Sequence, residues 1–240
     1  MTADGLTLRR LQPWDRLAVE TLCNESFPIQ YPECWYEEVV AGGLRSTGLF
    51  EGEQLAAMIV SETKFLYDCN LENVPNGSKT SSIVLECPGP PEVLERLPPT
   101  LISLFQDQGI ISESNVHVTY ILSIAVDKKY RRHGLATRLL NHLMTSLIDQ
   151  PPFPRVVFLH VLSTNSPALS FYKRHGFEFH ASLPEYYRIG EVYADGCTYV
   201  KYINSSHAPA TFSDDLNEAQ HIEAELNALD WLLSPSGLKS

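Results

Sequence analysis

The chain has 240 residues, of which 44% are hydrophobic, and a formal net charge of −11. This length suits one large domain with an appendage, and the apolar share is enough for a real core. The acidic balance argues against nucleic acid as a partner, and no run approaches the roughly 18 apolar residues needed to span a bilayer.

In chain order, residues 5–11 alternate apolar and charged and predict an edge-type strand. The start carries Asp4, Arg9 and Arg10 without an apolar stretch, so no cleaved signal peptide is expected. Pro13-Trp14-Asp15 predicts a helix start running to about Cys23, with Leu17, Val19 and Leu22 facing inward. Phe27-Pro28-Ile29-Gln30-Tyr31-Pro32 reads as a rigid loop, because two prolines fix the backbone. A short helix from Glu33 to Val40 should stop at Gly42-Gly43. Two strands near 45–51 and 54–63 form a hairpin at Gly52-Glu53. Residues 66–114 are rich in Pro, Asn, Ser and Gly and read as an insertion between the third and fourth strands, with a short helix near 91–108.

Tyr120 to Val126 predicts the fourth strand, with Tyr120 at its start. From His133 to about Ile148, Leu135, Leu139, Leu143 and Leu147 recur with Ala136, Leu140 and Met144, the stripe of a buried helix face. Val156 to Leu162 predicts a fifth strand, Pro167 to His175 a helix ending at Gly176, and 177–182 and 197–203 two last strands. Strands interleaved with helices on both sides imply an α/β sandwich around a mixed sheet. The five cysteines contain no C-x-x-C pair and are odd in number, which predicts reduced thiols rather than a disulfide or zinc framework.

The most informative segment is Arg131-Arg132-His133-Gly134-Leu135-Ala136, between the fourth strand and the long helix. The first N–H groups of a helix lack internal partners, and the helix dipole places about half a positive charge there, so a pyrophosphate can be seated at such an end. Gly134 permits close approach, and Arg131 and Arg132 add permanent charge. On the residues alone, a solvated helix start is the commoner explanation. The same holds for His160 as a hydrogen-bonded core histidine and for Tyr120 as a packed aromatic. Their types nevertheless suit proton transfer if the fourth and fifth strands are neighbours that splay apart. There is no H-E-x-x-H, no nucleophile-elbow Gly-x-Ser-x-Gly and no cysteine in a nucleophile motif, so metal and acyl-enzyme chemistry find no support and no metal is expected.

The order strand, R-x-x-G-x-A turn, helix, apolar strand, Asn165 and a helix carrying Tyr172 resembles the GNAT acetyltransferase family, whose R/Q-x-x-G-x-G/A turn holds the pyrophosphate of acetyl-CoA. Within it, five stretches resemble the Golgi-associated N-alpha-acetyltransferases of the NatF type and, more distantly, the NatE type. They are Phe27 to Pro32, Tyr120 to Ala136, Leu159 to Asn165, Leu183 to Tyr187 and Asp195 to Val200. Together they span most of 5–204 apart from 66–114. The resemblance implies the GNAT fold, a mixed, mostly antiparallel seven-stranded sheet with flanking helices.

The resemblance also assigns the site. It puts the base pair on Tyr120 and His160 and the thiolate-side tyrosine on Tyr172. Acetyl-CoA contacts fall on Leu122, Ser123, Ile124 and Val126, on Arg131, Arg132, His133, Gly134, Leu135 and Ala136, and on Asn165 and Tyr172. Peptide contacts fall on Phe27, Pro28, Ile29, Gln30, Tyr31, Tyr186 and Tyr187. Gln30 stands where NatF-type sequences carry Glu, which removes a charge and any lysine preference resting on it.

The expected activity is acetyl-CoA-dependent acetylation of Met-initiated N-termini, by direct attack of the amine. An α-amine, of pKa about 7.7–8.0 against about 10.4 for lysine, is neutral roughly a few hundred times more often near pH 7.4. The substrates implied are cytosol-facing termini of membrane proteins. The alternatives are a protein-lysine (histone) acetyltransferase and a non-catalytic acyl-CoA-binding or membrane adaptor module. Residues 205–240 read as a linker followed by a helix-spaced stripe of Leu216, Ile222, Leu226, Leu229 and Leu233. By the resemblance it is a candidate anchor to the cytosolic Golgi face. The accompanying Asp214, Asp215, Glu218, Glu223, Glu225 and Asp230 equally fit docking onto the domain or a partner. The chain is expected to be a cytoplasmic monomer, peripheral on membranes if the tail attaches.

Overall fold

The computed structural model describes residues 5–65 and 116–204. The proposed short helix near 91–108 and the tail stripe of 205–240 lie outside the described residues. The elements are β1 (Thr7–Arg10), a 3₁₀ turn (Pro13–Asp15), α1 (Arg16–Ser26), α2 (Glu33–Ala41), β2 (Arg45–Glu51), β3 (Gln54–Phe65) and β4 (His117–Val126). After a second 3₁₀ turn (Lys128–Tyr130) come α3 (Leu135–Asp149), β5 (Val156–Leu162), α4 (Ser166–Arg174), β6 (Glu178–Ile189) and β7 (Val192–Tyr202). Among the described residues one seven-stranded sheet runs in the order β1-β2-β3-β4-β5-β7-β6. Every neighbouring pair is antiparallel except β4 with β5.

That one parallel pair organises the molecule. β4 and β5 are in register only at Val118↔Val156, Thr119↔Val157 and Tyr120↔Phe158. Beyond Tyr120, β4 continues against β3 as far as Val126, while β5 continues against β7 as far as Leu162. The strands therefore diverge and leave a wedge in the middle of the sheet. A bulge lies on the wedge: the β3–β4 register steps from Val60↔Ser123 to Ser61↔Ile121, so Leu122 is the extra residue. Such a residue is left out of the ladder and re-aims its neighbours.

Helices cover both faces. The α3 stripe of Leu135, Leu139, Leu140, Leu143 and Leu147 is buried against Ile59, Ile121, Val157 and Leu159 on one face. On the other, Val19, Leu22 and Cys23 of α1 and Tyr36, Val39 and Val40 of α2 meet Phe50, Met58, Val60 and Ala125. At about 25 cal/mol per Å² of apolar area, these two layers dominate the stabilisation. The entry to α1 is fixed by Asp15, a buried carboxylate that takes two bonds from Arg9 (2.6 and 2.8 Å) and one from the Gln12 amide (2.8 Å). The Arg9 guanidinium lies 3.7 Å above the Phe50 ring. Gly42 ends α2 with φ of 101°, a left-handed cap as its sequence predicts.

Several expectations are corrected. Leu17 is 71% exposed rather than inward-facing. It lies two residues before Val19, about 200° round the helix from the buried stripe. Tyr120 is the fourth residue of β4, which starts at His117, and α3 starts at Leu135 rather than His133. The two last strands are much longer than 177–182 and 197–203, so that Leu183 to Tyr187 lies within β6 and not in a loop. Cys34 is disulfide-bonded, against the expected reduced thiol, whereas Cys23 and Cys197 are free.

Candidate active site

The wedge between β4 and β5 opens into a cleft of about 550 Å³. It passes from one face of the sheet to the other. On the α1–α2 side its walls include Phe27, Pro28, Ile29, Tyr31 and Trp35, and on the α3–α4 side Asn165, Ala168 and Tyr172. Tyr120, His160, Tyr186 and Tyr187 line it as well. Of the residues predicted for catalysis and peptide binding, all but Gln30 line this one cleft. Gln30 is exposed at the rim, between lining residues.

Because β4 and β5 have parted, the cleft side of β4 has no strand partner among the described residues along Ile121, Leu122, Ser123 and Ile124, all of which line it. An exposed strand edge inside a protein offers backbone groups to an extended ligand carrying amides. The Ser123 hydroxyl is buried there without a hydrogen-bond partner among the described residues. Beyond the end of β4, the basic turn folds back as Arg131 Nε donates to the Val126 carbonyl (3.0 Å) and His133 Nδ1 bonds the Arg131 carbonyl (2.8 Å). Arg132 (φ 68°) and Gly134 (φ 77°) are both left-handed, a backbone pattern that turns N–H groups into a concave anion seat. A Cβ on Gly134 would meet no described residue within 4 Å, so none of them fills the space in front of α3. The first intrahelical bond of α3 runs from Arg138 N to Gly134 O, leaving the amides of the turn before it facing outward. Arg131 to Ala136 do not themselves line the cleft. They lie past the open end of β4.

The titratable groups cluster at the narrow end of the wedge. Tyr120 stacks on Phe158 (centroids 4.8 Å apart, 16° between planes) and its ring centroid is 5.3 Å from that of His160. The Tyr186 ring centroid is 5.0 Å from that of His160, so two phenol rings neighbour the imidazole. Burial pushes the His160 pKa down to about 4, so the ring is neutral near pH 7. Its Nδ1 is 3.0 Å from the Thr198 hydroxyl, while Nε2 is buried without a hydrogen-bond partner among the described residues. Burial pushes the Tyr172 and Tyr187 hydroxyls upward, which keeps both as proton-bearing donors. Asn165 accepts from the Ala168 amide (3.2 Å) and caps α4, which carries Tyr172 into the cleft.

Some contributors were not foreseen from the sequence. Trp35 stacks on Tyr31 (4.1 Å, 19°), and Phe27 meets Tyr31 edge-on (5.8 Å), so the apolar wall is an aromatic group rather than a loop. Two carboxylates, Glu38 and Glu62, line the cleft, the second paired with Lys64 (3.2 Å). The tyrosine pair is positioned by β7. Between Leu183 and Tyr187 the β6–β7 ladder is irregular, and Glu185 adopts φ of 51° with its amide bonded to Asp195 Oδ1 (2.9 Å). Gly196 lies beneath it: a Cβ there would be 3.1 Å from the Tyr187 ring and 3.3 Å from the Tyr186 ring. Among the described residues no group of three or more His, Cys, Asp or Glu side chains could hold a metal ion.

Comparison with known proteins agrees with this geometry. Residues 100–177 match the model of the acetyltransferase (GNAT) family. The chain is 37% identical over 219 residues to N-alpha-acetyltransferase 60 of Drosophila melanogaster, covering 89% of this chain and 74% of the relative. It is 33% identical over 231 residues to N-alpha-acetyltransferase 60 of Danio rerio, covering 93% and 79%. The chain belongs to the GNAT acetyltransferases, in the N-alpha-acetyltransferase 60 (NatF) group. The crystal structure of Arabidopsis thaliana NAA60 in complex with acetyl-CoA shares its fold, with a TM-score of 0.61 at 24% identity over 83% of this chain and 99% of that one. The same plant protein in complex with a bisubstrate analogue gives a TM-score of 0.63 at 23% identity, over 84% and 99%. The fold expectation is therefore met: a GNAT sheet of seven strands, mixed through its single parallel pair, with helices on both faces.

Proposed function

We propose that this chain acetylates the α-amine of Met-initiated protein N-termini, taking the acetyl group from acetyl-CoA. One observation carries the reading: Tyr120 and His160 meet at 5.3 Å where two parallel strands part, inside a cleft open to both faces of the sheet. A two-sided cleft lets donor and acceptor arrive from opposite directions and react at the middle. The donor occupies the β4 edge, with its pyrophosphate at the Gly134 turn. The peptide enters along the Phe27–Tyr31–Trp35 wall. A methionine side chain suits that wall, since thioether–aromatic contacts contribute about 0.3–1.5 kcal/mol each.

The amine attacks the thioester carbon directly. As the N–C bond forms, the amine proton passes to the Tyr120–His160 pair, either directly or through one water. Collapse of the tetrahedral intermediate breaks the C–S bond, and the Tyr172 hydroxyl protonates the departing thiolate. Holding His160 neutral keeps it able to accept a proton across the physiological range.

Within this reading the substrates are cytosol-facing termini of membrane proteins with an apolar or basic second residue, and the enzyme works at the cytosolic face of the Golgi. The apolar stripe of Leu216, Ile222, Leu226, Leu229 and Leu233 supports attachment through the tail. The test is an N-terminal peptide library with labelled acetyl-CoA. Label should accumulate on free Met-initiated termini and not on N-blocked twins. Label on lysines of the blocked twins instead would replace this reading with a lysine acetyltransferase. A fluorescent fusion lacking 210–240 should lose membrane attachment, and unchanged localisation would exclude the tail as anchor.

A further inference from the structure

The geometry points to Thr198 as the positioning residue for His160: its hydroxyl accepts from Nδ1–H and so presents the Nε2 lone pair to the reacting amine. The inference rests on the acetyltransferase reading above. It concerns a residue that makes no contact with the cleft. Thr198 is fully buried in β7 and does not line the cleft. It lies directly across the β5–β7 ladder from His160, with Oγ1 3.0 Å from Nδ1.

A neutral imidazole carries its proton on one nitrogen and a lone pair on the other, and the partner of one nitrogen sets the role of the other. Two arrangements are available. In the first, Nδ1–H donates to Thr198 and Nε2 is a bare lone pair. In the second, the Thr198 hydroxyl donates to Nδ1 and Nε2 carries the hydrogen. The base role proposed for His160 selects the first: Nε2 has no hydrogen-bond partner among the described residues, and only with the hydrogen on Nδ1 does it offer a lone pair to the reacting amine. Its effect is positional as well as electronic. Fixing Nδ1 toward β7 fixes the ring plane relative to Tyr120 and Tyr186, whose centroids are 5.3 and 5.0 Å away.

A cross-strand Thr–His pair also has an ordinary role, a modest contribution to sheet stability, so the test must read something that role would not move. The full chain labelled with ¹⁵N at histidine is examined by long-range ¹H–¹⁵N NMR. His160 is assigned by its loss in His160→Ala. The expected spectrum has a protonated Nδ1 and an unprotonated Nε2, and a protonated Nε2 in the wild-type chain overturns the inference whatever the activity.

Thr198→Val, which keeps the branched shape without the hydroxyl, should lower kcat on a Met-Leu peptide at least fivefold and leave the KM for acetyl-CoA within twofold. Thr198→Ser should restore kcat to within threefold of wild type, and it keeps the proposal testable if Thr198→Val does not fold. In a His160→Ala background, Thr198→Val should have no further effect on kcat. Wild-type kcat in folded Thr198→Val, or an equal loss in the two backgrounds, overturns the inference while leaving the acetyltransferase reading intact. A wild-type chain that acetylates no peptide defeats that reading instead, and the tautomer still decides the role of Thr198.

Discussion

Substitution of Gly196 by alanine tests how the peptide side of the cleft is built. The added Cβ would lie 3.1 Å from the Tyr187 ring and 3.3 Å from the Tyr186 ring, inside the 3.4–4 Å of ordinary contact. Both rings must then retreat by a few tenths of an ångström, and Tyr186 cannot do so without changing its 5.0 Å approach to His160. A misplacement of about 1 Å at reacting groups costs on the order of 100-fold in rate, so a shift of this size should cost about three- to tenfold in kcat/KM for a Met-Leu peptide. Overpacking at a tight site also costs about 1–3 kcal/mol of stability, and thermal melting should register it. The β4 edge and the Gly134 turn are untouched, so the KM for acetyl-CoA should stay within twofold. Steady-state kinetics with each substrate varied in turn reads all of this. Unchanged peptide kcat/KM in a folded variant, or a loss appearing only in acetyl-CoA binding, would refute the argument that Gly196 makes room for the tyrosine pair.

Other perturbations have defined outcomes. The folded-state pKa of His160, about 4, is depressed below its unfolded value of 6.5, so the unfolded chain takes up a proton first as pH falls. The stability that follows from keeping the ring neutral is complete above about pH 6.5 and is lost progressively toward pH 4, by about 3 kcal/mol in all. Urea titrations across that range should show this slope diminished in His160→Gln, and an identical slope would contradict it. Gly134→Ala places a side chain at φ of 77°, where no described residue fills the surrounding space, so only backbone strain of about 1–2 kcal/mol is introduced. Acetyl-CoA affinity measured by calorimetry should fall severalfold, with peptide KM little changed. Asp15→Asn removes the charge and one of the two acceptors that hold Arg9, whose side chain is 35% exposed, and should cost about 1–3 kcal/mol in chemical denaturation, with kcat preserved in the folded fraction.

Much of this molecule is written in local pattern. The leucine stripe of α3, the Gly42 cap and the Gly52-Glu53 hairpin each depend on residues within a few positions of one another, and the sequence places them well. The cleft is also legible where local chemistry marks it, as at the Gly134 turn and the Phe27 to Pro32 loop. What escapes a linear reading is whatever depends on strand register. Thr198 matters because it lies opposite His160 on β5, a relation 38 positions away that no local signal encodes. The Leu122 bulge likewise exists only by comparison with β3. The long hairpin of β6 and β7 looks like two short strands in the sequence because Pro184, Gly190 and Gly196 are residues that strands usually avoid. Here they sit at an irregularity, a turn and a close approach. Leu17 departs from its expected place for a simpler reason, since the apolar stripe of α1 begins at Val19 and a lone leucine ahead of it has no layer to join.

The central claim is that an α-amine loses its proton to Tyr120 and His160 at the parting of β4 and β5. It is tested most directly by single-turnover acetylation of a free Met-Leu peptide with the wild-type chain, Tyr120→Phe, His160→Ala and the double variant, each loaded with acetyl-CoA. Each single change should slow the acetyl transfer at least tenfold, the double change should slow it further, and acetyl-CoA should still bind all four. A double variant that transfers the acetyl group at the wild-type rate would contradict the account.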